Sequence, residues 1–116
     1  MVRGTTPTYT FSIGDLDPSL IKDIEITFYQ DGLKIDNIVV DRLDLHMKAN
    51  EPEKSRVTLA ADKKEATCRL EQKETFGFSV GSCQVQMRVI DNLGNVCASE
   101  IAKIKVTASL SEDTLS

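Results

Sequence analysis

The residues in this sequence that could perform nucleophilic or metal chemistry are few and widely spaced. They are one histidine, His46, and three cysteines, Cys68, Cys83 and Cys97. Nucleophilic catalysis would pair a cysteine with His46 and an orienting carboxylate, but each cysteine lies inside a predicted strand. A structural zinc site needs four clustered Cys or His ligands, and these four residues form no clustered pairs. We therefore expect buried, reduced thiols and an exposed, incidental imidazole.

Acidic pairs, glycines and basic pairs could in principle build a calcium, phosphate or nucleic-acid site. These residues are Asp15/Asp17, Glu51/Glu53, Gly77, Gly81, Gly94, Lys63/Lys64 and Lys103/Lys105. The calcium-loop spacing fails because Pro18 follows Asp17, and the glycines are too dispersed to cradle a phosphate. The lysines are isolated spots without interleaved aromatic residues. We predict no catalytic residue, no cofactor-binding residue and no metal ligand.

Length and charge narrow the classes of partner. The chain has 116 residues, a formal net charge of −4 and a sequence pI of about 4.9. The length suits one domain, and the acidic balance disfavours nucleic acid and anionic membranes as partners. No apolar run approaches the ~18 residues that span a bilayer, and residues 1–7 show no signal-peptide pattern. We therefore expect synthesis and retention in a cytoplasm.

The composition and the first patterned segment both favour strands. Nine valines, nine isoleucines and ten threonines make β-branched residues common, and such side chains suit a pleated sheet. Residues 7–13 alternate between polar and apolar types. The alternation places Tyr9, Phe11 and Ile13 on one face of a half-buried strand.

A helical turn and a hairpin are predicted next. Asp17 is a capping residue and Pro18 suits a first helical position, which predicts one turn over residues 18–22. The following residues alternate as a strand, and residues 30–32 have the residue types of a tight turn. We therefore predict a hairpin whose second strand begins at residues 33–35.

The middle of the chain supports two interpretations. The apolar positions of residues 39–47 suit either a helix face or a strand, and we prefer the strand because the aspartates among them are poor helix formers. Residues 49–55 predict a polar loop. A second hairpin follows, in which residues 56–60 and 65–70 are joined by a turn at residues 61–64.

Residues 82–90 have the clearest strand pattern in the chain. Cys83, Val85, Met87 and Val89 lie on one face, and every intervening residue up to Arg88 is polar. Such strict alternation is typical of a strand with one buried face.

A hairpin and a long returning strand complete the pattern. Residues 91–95 contain Asn and Gly, which predict a loop with a left-handed residue, and residues 96–108 return as a strand. The apolar phase of that strand changes near residues 100–101, which predicts a bulge.

About seven short strands at this spacing indicate an all-β fold, an antiparallel immunoglobulin-like β-sandwich with one short helical turn. The chain has no tryptophan, and its three cysteines lack the pairing of a disulfide framework. We predict a flexible N-terminal arm over residues 1–6, the sandwich domain over residues 7–108, and an acidic, flexible tail over residues 109–116.

Three stretches of the sequence resemble one family. They are residues 3–11 (Arg3-Gly-Thr-Thr-Pro onward) with Ser19-Leu-Ile-Lys22, residues 70–76 (Leu-Glu-Gln-Lys-Glu-Thr-Phe), and residues 85–89 through Gly94 to residues 98–101. These stretches resemble short uncharacterised proteins encoded in phages and prophages of Gram-positive gut bacteria. The strand layout is also similar to the N-terminal sandwich domain of upper baseplate proteins. The chain is longer than the family pattern between about Val40 and Ala66, and Glu71 stands where the family has a hydroxyl residue.

The resemblance implies a phage structural module, and the family has no known catalytic residues to carry over. Our first hypothesis is a non-enzymatic virion component of a tail or baseplate, which assembles with other virion proteins or as a homo-oligomer. The alternative is a binding module for a host-surface carbohydrate or polymer, against which stand zero tryptophans and only Tyr9 and Tyr29. A regulatory adaptor or small enzyme is the third hypothesis.

Overall fold

The computed structural model describes residues 1–30 and 57–115, together with the strand backbone at residues 34–35, 38–39 and 45–48. It is built almost entirely of strands, as the sequence predicts. The strands are β1 (Thr8–Ser12), β2 (Ile21–Tyr29), β3 (Lys34–Ile35), β4 (Ile38–Val39), β5 (Leu45–Lys48), β6 (Val57–Ala60), β7 (Glu65–Arg69), β8 (Gly81–Asp91), β9 (Val96–Ala98) and β10 (Ala102–Val106). A 3-10 turn covers Pro18–Leu20, and a short helix, α1, covers Gln72–Phe76.

Eight of these strands form two antiparallel sheets that pack as a sandwich, and β3 and β4 pair separately. The smaller sheet has the order β1-β7-β6 and the larger sheet the order β10-β8-β2-β5, while β9 pairs with the far end of β8. The all-β sandwich of about seven strands is therefore confirmed. In immunoglobulin constant domains the first two strands share a sheet. Here β1 lies in the smaller sheet and β2 lies in the larger sheet between β8 and β5. The first two strands therefore lie in different sheets, unlike those of an immunoglobulin constant domain.

The core lies between the two sheets and is supplied mainly by β2 and β8. Their inward residues alternate along each strand as predicted, and the register sets Ile24 opposite Val89 and Ile26 opposite Met87. Burial of each large apolar side chain contributes about 1.5–3 kcal/mol. The buried cluster consists of Ile13, Ile24, Ile26, Phe28, Val57, Ala66, Cys68, Leu70, Phe78, Cys83, Val85, Met87, Val89 and Val106.

Aromatic contacts join the two sheets. The Tyr9 ring of β1 lies 5.5 Å from the Phe28 ring of β2, and Phe28 meets Phe78 edge to face at 6.3 Å. Edge-to-face pairs of this kind stabilise a core beyond the area that they bury. Phe11 of β1 also packs against the core, and Ile13 just beyond the strand is buried in it, so the predicted inward face of residues 7–13 is confirmed.

The predicted turns form with the residues expected of them. The Asp17 carboxylate accepts the backbone N–H of Ser19 at 3.0 Å and caps the 3-10 turn, with Pro18 at its first position. The hairpin of β6 and β7 closes at Ala60 and Glu65. Gly94, in the loop between β8 and β9, has a φ of +87°, the left-handed conformation that the sequence predicts.

The predicted bulge lies between β9 and β10. Ala98 pairs with Arg88 and Ala102 pairs with Val85, so three residues on one strand face two on the other. Ser99 fills the irregularity, because its N–H donates to the Met87 carbonyl at 2.8 Å and its hydroxyl accepts the Met87 N–H at 3.0 Å. β9 and β10 are therefore one edge strand interrupted by a bulge.

The predicted hairpin that continues β2 into residues 33–35 is wrong. Lys34 and Ile35 pair with residues 38–39, and the neighbours of β2 are β8 and β5. Gln30, predicted as a turn residue, is buried, and its side-chain amide bonds to Ser79 in both directions at 2.7 Å. The long register of β2 with β8 buries more apolar surface than a local hairpin could, and this burial determines the pairing.

Three further outcomes concern the middle of the chain, the helix α1 and membrane-spanning helices. β5 confirms the preferred strand at residues 45–48, whereas residues 40–44 and the predicted loop at residues 49–55 lie outside the described residues. The helix α1 was not foreseen from the sequence. Within the described residues, no helix has the length and apolar character needed to cross a membrane.

Candidate functional site

The short helix α1 lies at the centre of a cluster of polar contacts that includes both ends of the described chain. Glu71 precedes the helix, and its N–H donates to the Glu74 carboxylate at 2.8 Å as one half of a capping box. Such reciprocal caps satisfy backbone donors that a helix terminus leaves unpaired. Thr75, on the inner face of α1, is completely buried. The helix therefore presents a fixed surface to the two chain ends.

Residues 1–3 extend the larger sheet beyond β10. The Arg3 N–H donates to the Thr107 carbonyl at 3.0 Å, the Thr107 N–H donates to the Met1 carbonyl at 2.8 Å, and Val2 forms a parallel bridge with Thr107. The chain then crosses to β1 in the smaller sheet. The N-terminal residues thus link both sheets on one side of the sandwich. The flexibility predicted for residues 1–6 stays a prediction.

Gly4 makes the closest contact between the N-terminal residues and α1. Its φ is +80°, and a Cβ placed on it would lie 2.4 Å from Cζ of Phe76, so a larger residue cannot fit without displacing that ring. The Gly4 N–H donates to the Thr75 hydroxyl at 2.9 Å, and that hydroxyl donates to the Thr5 carbonyl at 2.8 Å. Glycine is therefore required here for both its backbone conformation and its lack of a side chain.

Arg3 joins the N-terminal residues to the C-terminal ones. Its guanidinium donates to the Phe76 carbonyl at 2.9 Å, lies 5.8 Å from the centre of the Phe76 ring, and forms an ion pair with Glu112. The Gln72 side-chain amide donates to the Leu115 carbonyl at 2.7 Å and accepts the Leu115 N–H at 2.9 Å. We call this assembly of residues 3–5, α1 and residues 112–115 the terminal clasp.

The loop between β8 and β9 is a second ordered surface feature. The Asp91 carboxylate accepts the N–H groups of Leu93 and Asn95, both at 2.9 Å, and the Asn95 side-chain amide at 3.0 Å. The hydrogen bonds from Asn95 are the main cause that lowers the pKa of Asp91. Leu93, between them, is 86% exposed. The loop therefore displays an apolar side chain on a backbone that the aspartate fixes.

The outer face of the larger sheet carries an open groove of about 320 Å³. Arg88 of β8 lies opposite Glu25 of β2, and its Nε–H donates to that carboxylate at 2.9 Å. Exposed ion pairs of this type contribute at most about 1 kcal/mol. The groove is lined by Lys22, Asp23, Glu25, Arg88, Val89, Ile90 and Val96. It therefore presents the Arg88–Glu25 ion pair beside further charged side chains and apolar residues.

The structure places the residues that the sequence singled out for chemistry on four different strands. His46 lies in β5 opposite Thr27, while its side chain lies outside the described residues. Cys68 and Cys83 are buried, as predicted, and burial raises the pKa of the Cys83 thiol to about 11. That thiol is therefore protonated and unreactive at neutral pH. Among the described residues, no three His, Cys, Asp or Glu side chains gather as a metal site would require.

Cys97 is exposed, so the prediction that it is buried is wrong. Its phase is inward, since it pairs with the buried Val89, but β9 is an edge strand on a side of the sandwich that is not closed. A groove of about 260 Å³ lies there between the end of β1 and β9. Strand phase indicates which way a side chain points, and burial needs a neighbour on that side as well.

The remaining candidates have structural or surface positions. Asp17 caps the 3-10 turn, and hydrogen bonds from Ser19 lower the pKa of its carboxyl. Lys103 and Lys105 are exposed on β10, as predicted for a solvent-facing strand surface. Gly77, Gly81 and Gly94 lie in three separate places: after α1, at the start of β8 and in the β8–β9 loop. Glu51 and Glu53 lie outside the described residues.

Sequence reasoning missed the terminal clasp, although one local signal was available. Glu71 and Glu74 have the spacing of a capping box, which marks the start of a helix. The clasp itself joins residues about seventy positions apart, such as Gly4 and Thr75. The chain matches no protein-family model and no curated protein sequence, so its own geometry and the resemblance of its segments carry the functional argument.

Proposed function

We propose that this chain is a non-enzymatic component of a phage or prophage virion, in the tail or baseplate, and that it acts through protein–protein assembly. One observation carries the proposal. Two of the three family-like stretches, residues 3–11 and residues 70–76, pack against each other in the terminal clasp. The resemblance therefore falls on residues that hold the fold of this chain together.

The third family-like stretch has a structural role as well. It contains Met87 in the core and Ser99 in the bulge, which are joined by two hydrogen bonds. Each of the three stretches thus contains polar groups that bond to distant parts of the chain. Such bonds support a role in which the stretches maintain the fold and the surface acts on partners.

The surface offers anchors for association. Leu93 is 86% exposed and Leu110 is fully exposed, and the backbone at Leu93 is fixed by Asp91. An apolar side chain on an ordered backbone loses less conformational entropy when a partner covers it, so more of its burial contributes to binding. Exposed apolar residues on ordered loops are therefore suited to contacts with other proteins.

The alternative, a module that binds a host-surface carbohydrate or polymer, has less support. Sugar rings stack on exposed aromatic faces, but the Tyr9 ring contacts Phe28 in the core. Tyr29 is half-buried beside Gln84 and Gln86 on the outer face of the larger sheet. A glycan array read with a millimolar-sensitive method tests this function, and clear binding that Tyr29→Ala abolishes would favour it over the virion role.

The virion role is tested by the composition of particles. Prophage in a strain that encodes the chain is induced, particles are purified on a density gradient, and their proteins are quantified by mass spectrometry. We expect this chain to co-purify with tail proteins in a constant ratio across gradient fractions. An abundant host enzyme serves as the control for contamination. If the chain follows the host enzyme instead of the particles, the proposed function is wrong.

The neighbouring genes give an independent check. A virion component is expected beside genes for tail, portal or fibre proteins. A neighbourhood without any of these would remove the main support for the proposal.

A further inference from the structure

The edge formed by β9 differs from the edge formed by β10, although the two strands are nearly continuous. Along β10, Lys103 and Lys105 are exposed, and residues 1–3 pair with its end. Along β9 neither protection is present, since residues 92–99 contain no charged side chain. Charged residues on edge strands prevent pairing with another chain. The β9 edge is therefore chemically open to pairing.

The backbone groups of β9 that point away from β8 can be identified from the hydrogen-bond pattern. Asp91 bonds to Asn95 and Ser99 bonds to Met87, so Cys97 is the β9 residue whose peptide groups bond to β8 in the alternating ladder. The N–H and C=O groups of Val96 and Ala98 consequently point outward. Within the part of the chain that the structure describes, none of these outward groups has a hydrogen-bond partner.

The outward groups of β9 are complementary to themselves. In an antiparallel pair that is symmetric about Cys97, Val96 of one copy lies opposite Ala98 of the other. Residues at such a hydrogen-bonded position exchange both N–H···O=C bonds. One two-fold axis therefore satisfies every outward group of β9 on both copies. Closed two-fold dimers are the commonest oligomers, and they use one surface on both subunits.

The same register brings the exposed Val96 side chains of the two copies close to the axis. Val96 of one copy lies diagonally across from Val96 of the other, on the same face of the joined sheet. Leu93 is 86% exposed, Val96 58% and Ile101 57%, and all three flank or belong to β9. An exposed apolar cluster of this kind marks an interaction surface. Because the segment is uncharged, no like charges meet across the axis.

We propose that two copies of this chain associate through antiparallel pairing of their β9 strands, about a two-fold axis at Cys97. The larger sheets of the two copies then form one continuous sheet. The pairing also covers the exposed thiol and the mouth of the groove that lies beside Met87 and Ala98. It is a property of the isolated chain and goes beyond the proposed virion role, and either can fail without the other.

The mass of the purified protein tests the pairing. Sedimentation velocity over about a hundredfold range of concentration is expected to show the mass rising from 12.8 kDa toward that of a dimer. Ala98→Pro removes an outward N–H that bonds to nothing within the described chain, so it is expected to abolish the dimer while preserving the melting temperature. Proline is tolerated at such edge positions.

A second variant covers the case in which Ala98→Pro fails to fold. Val96→Lys places a charge on β9, diagonally across the axis from the same charge on the second copy, and is expected to raise the dissociation constant at least about tenfold. Val80→Lys changes a similarly exposed valine outside β9 and is the matched control, with no expected effect. A protein that stays monomeric at every concentration, or a dimer that survives Val96→Lys, overturns the proposal.

Oxidative crosslinking tests the register directly. With diamide, the two Cys97 thiols of a dimer form one disulfide and give up two protons and two electrons to the reagent, which becomes a hydrazine. Opposed residues at this position have Cβ atoms about 4.5–5.5 Å apart, close to disulfide geometry. The control protein carries Cys97→Ser with Lys103→Cys, a thiol on the same edge outside the register. We expect at least about tenfold faster crosslinking through Cys97, and equal rates would overturn the symmetric register.

Discussion

Replacement of Gly4 by alanine tests the terminal clasp most sharply. The Gly4 backbone has a φ of +80°, and an added Cβ would lie 2.4 Å from Cζ and 2.8 Å from Cε1 of Phe76. Carbon atoms do not approach this closely, so the aromatic ring must move. The same ring lies beneath the Arg3 guanidinium, whose position would change with it. The substitution therefore acts on the whole N-terminal side of the clasp.

The expected loss has two parts. A non-glycine residue in the left-handed conformation costs about 1–2 kcal/mol, and overpacking against the ring costs about a further 1–3 kcal/mol. We expect Gly4→Ala to lower the free energy of unfolding by about 2–5 kcal/mol. Gly14→Ala is the matched control, because Gly14 has a φ of +62° with no atom within 4 Å of the added Cβ. That control should lose only the backbone part, about 1–2 kcal/mol.

Urea unfolding followed by circular dichroism measures both losses, and thermal unfolding gives a check of roughly 4 °C per kcal/mol. The double variant Gly4→Ala/Phe76→Ala separates the ring contact from the backbone conformation. Removal of the ring should make the alanine at position 4 cost no more than the alanine at position 14. Equal losses for Gly4→Ala and Gly14→Ala would refute the close contact with Phe76. No loss at all for Gly4→Ala would show instead that residues 1–6 form the mobile arm predicted from the sequence.

Three further predictions concern the core and the titrating groups. Met87→Asp, which places an unpaired carboxylate among buried residues, should cost more than about 4 kcal/mol in urea unfolding. Ser82→Asp, at an exposed position on the opposite face of β8, should change little. Burial raises the pKa of Cys83 from 9.0 to about 11, so the contribution of the protonated thiol to the free energy of unfolding is complete below pH 9 and is lost as the pH rises toward 11. This loss is at most about 2 kcal/mol. In Cys83→Ala, the free energy of unfolding should fall less steeply over this pH range. Hydrogen bonds lower the pKa of Asp91, so the bonds that its carboxylate accepts in the loop persist below the usual pKa of an aspartate and are lost as the pH falls through the lowered value. Hydrogen exchange at the Leu93 amide measures this loss, and a protection factor that stays unchanged in acid would contradict it.

Strands were predictable where the pattern is local. The alternation of Cys83, Val85, Met87 and Val89 is a property of neighbouring residues, and β8 follows it along its length. The bulge was predictable for the same reason, because a change of apolar phase requires an extra residue on one strand. Local sequence determines which face of a strand is apolar, and that face limits the possible registers.

The pairing of β2 was not predictable from local pattern. Turn-forming residues after Gln30 indicated a hairpin, but the partners of β2 are β8 and β5, which lie farther along the chain. Competition between a short local pairing and a long distant one depends on the total apolar surface buried, which no single segment contains. The exposure of Cys97 also depends on distant elements, because an inward phase buries a side chain only where another element covers that side.

The terminal clasp could not be predicted from the sequence either, because its contacts join distant residues. Nothing in residues 3–5 indicates a helix as their partner, because Arg3 and Phe76 are separated by 73 positions. The glycine at position 4 could be recognised as a conformational signal, but only the structure shows the ring that excludes a side chain. The role of residues that join distant segments is visible only in the folded structure, because the sequence pattern does not show which segments they contact.

The parallel pairing of residues 1–3 with residues 105–107 has a mechanical consequence. Tension applied between the two ends of the described chain would pull these paired segments in opposite directions along their length. The hydrogen bonds from Arg3 to Thr107 and from Thr107 to Met1 would then carry the load together, in shear, instead of opening one after another. Forced unfolding is governed by the rate of the first rupture, so a module anchored by its ends would resist stretching until this pair gives way.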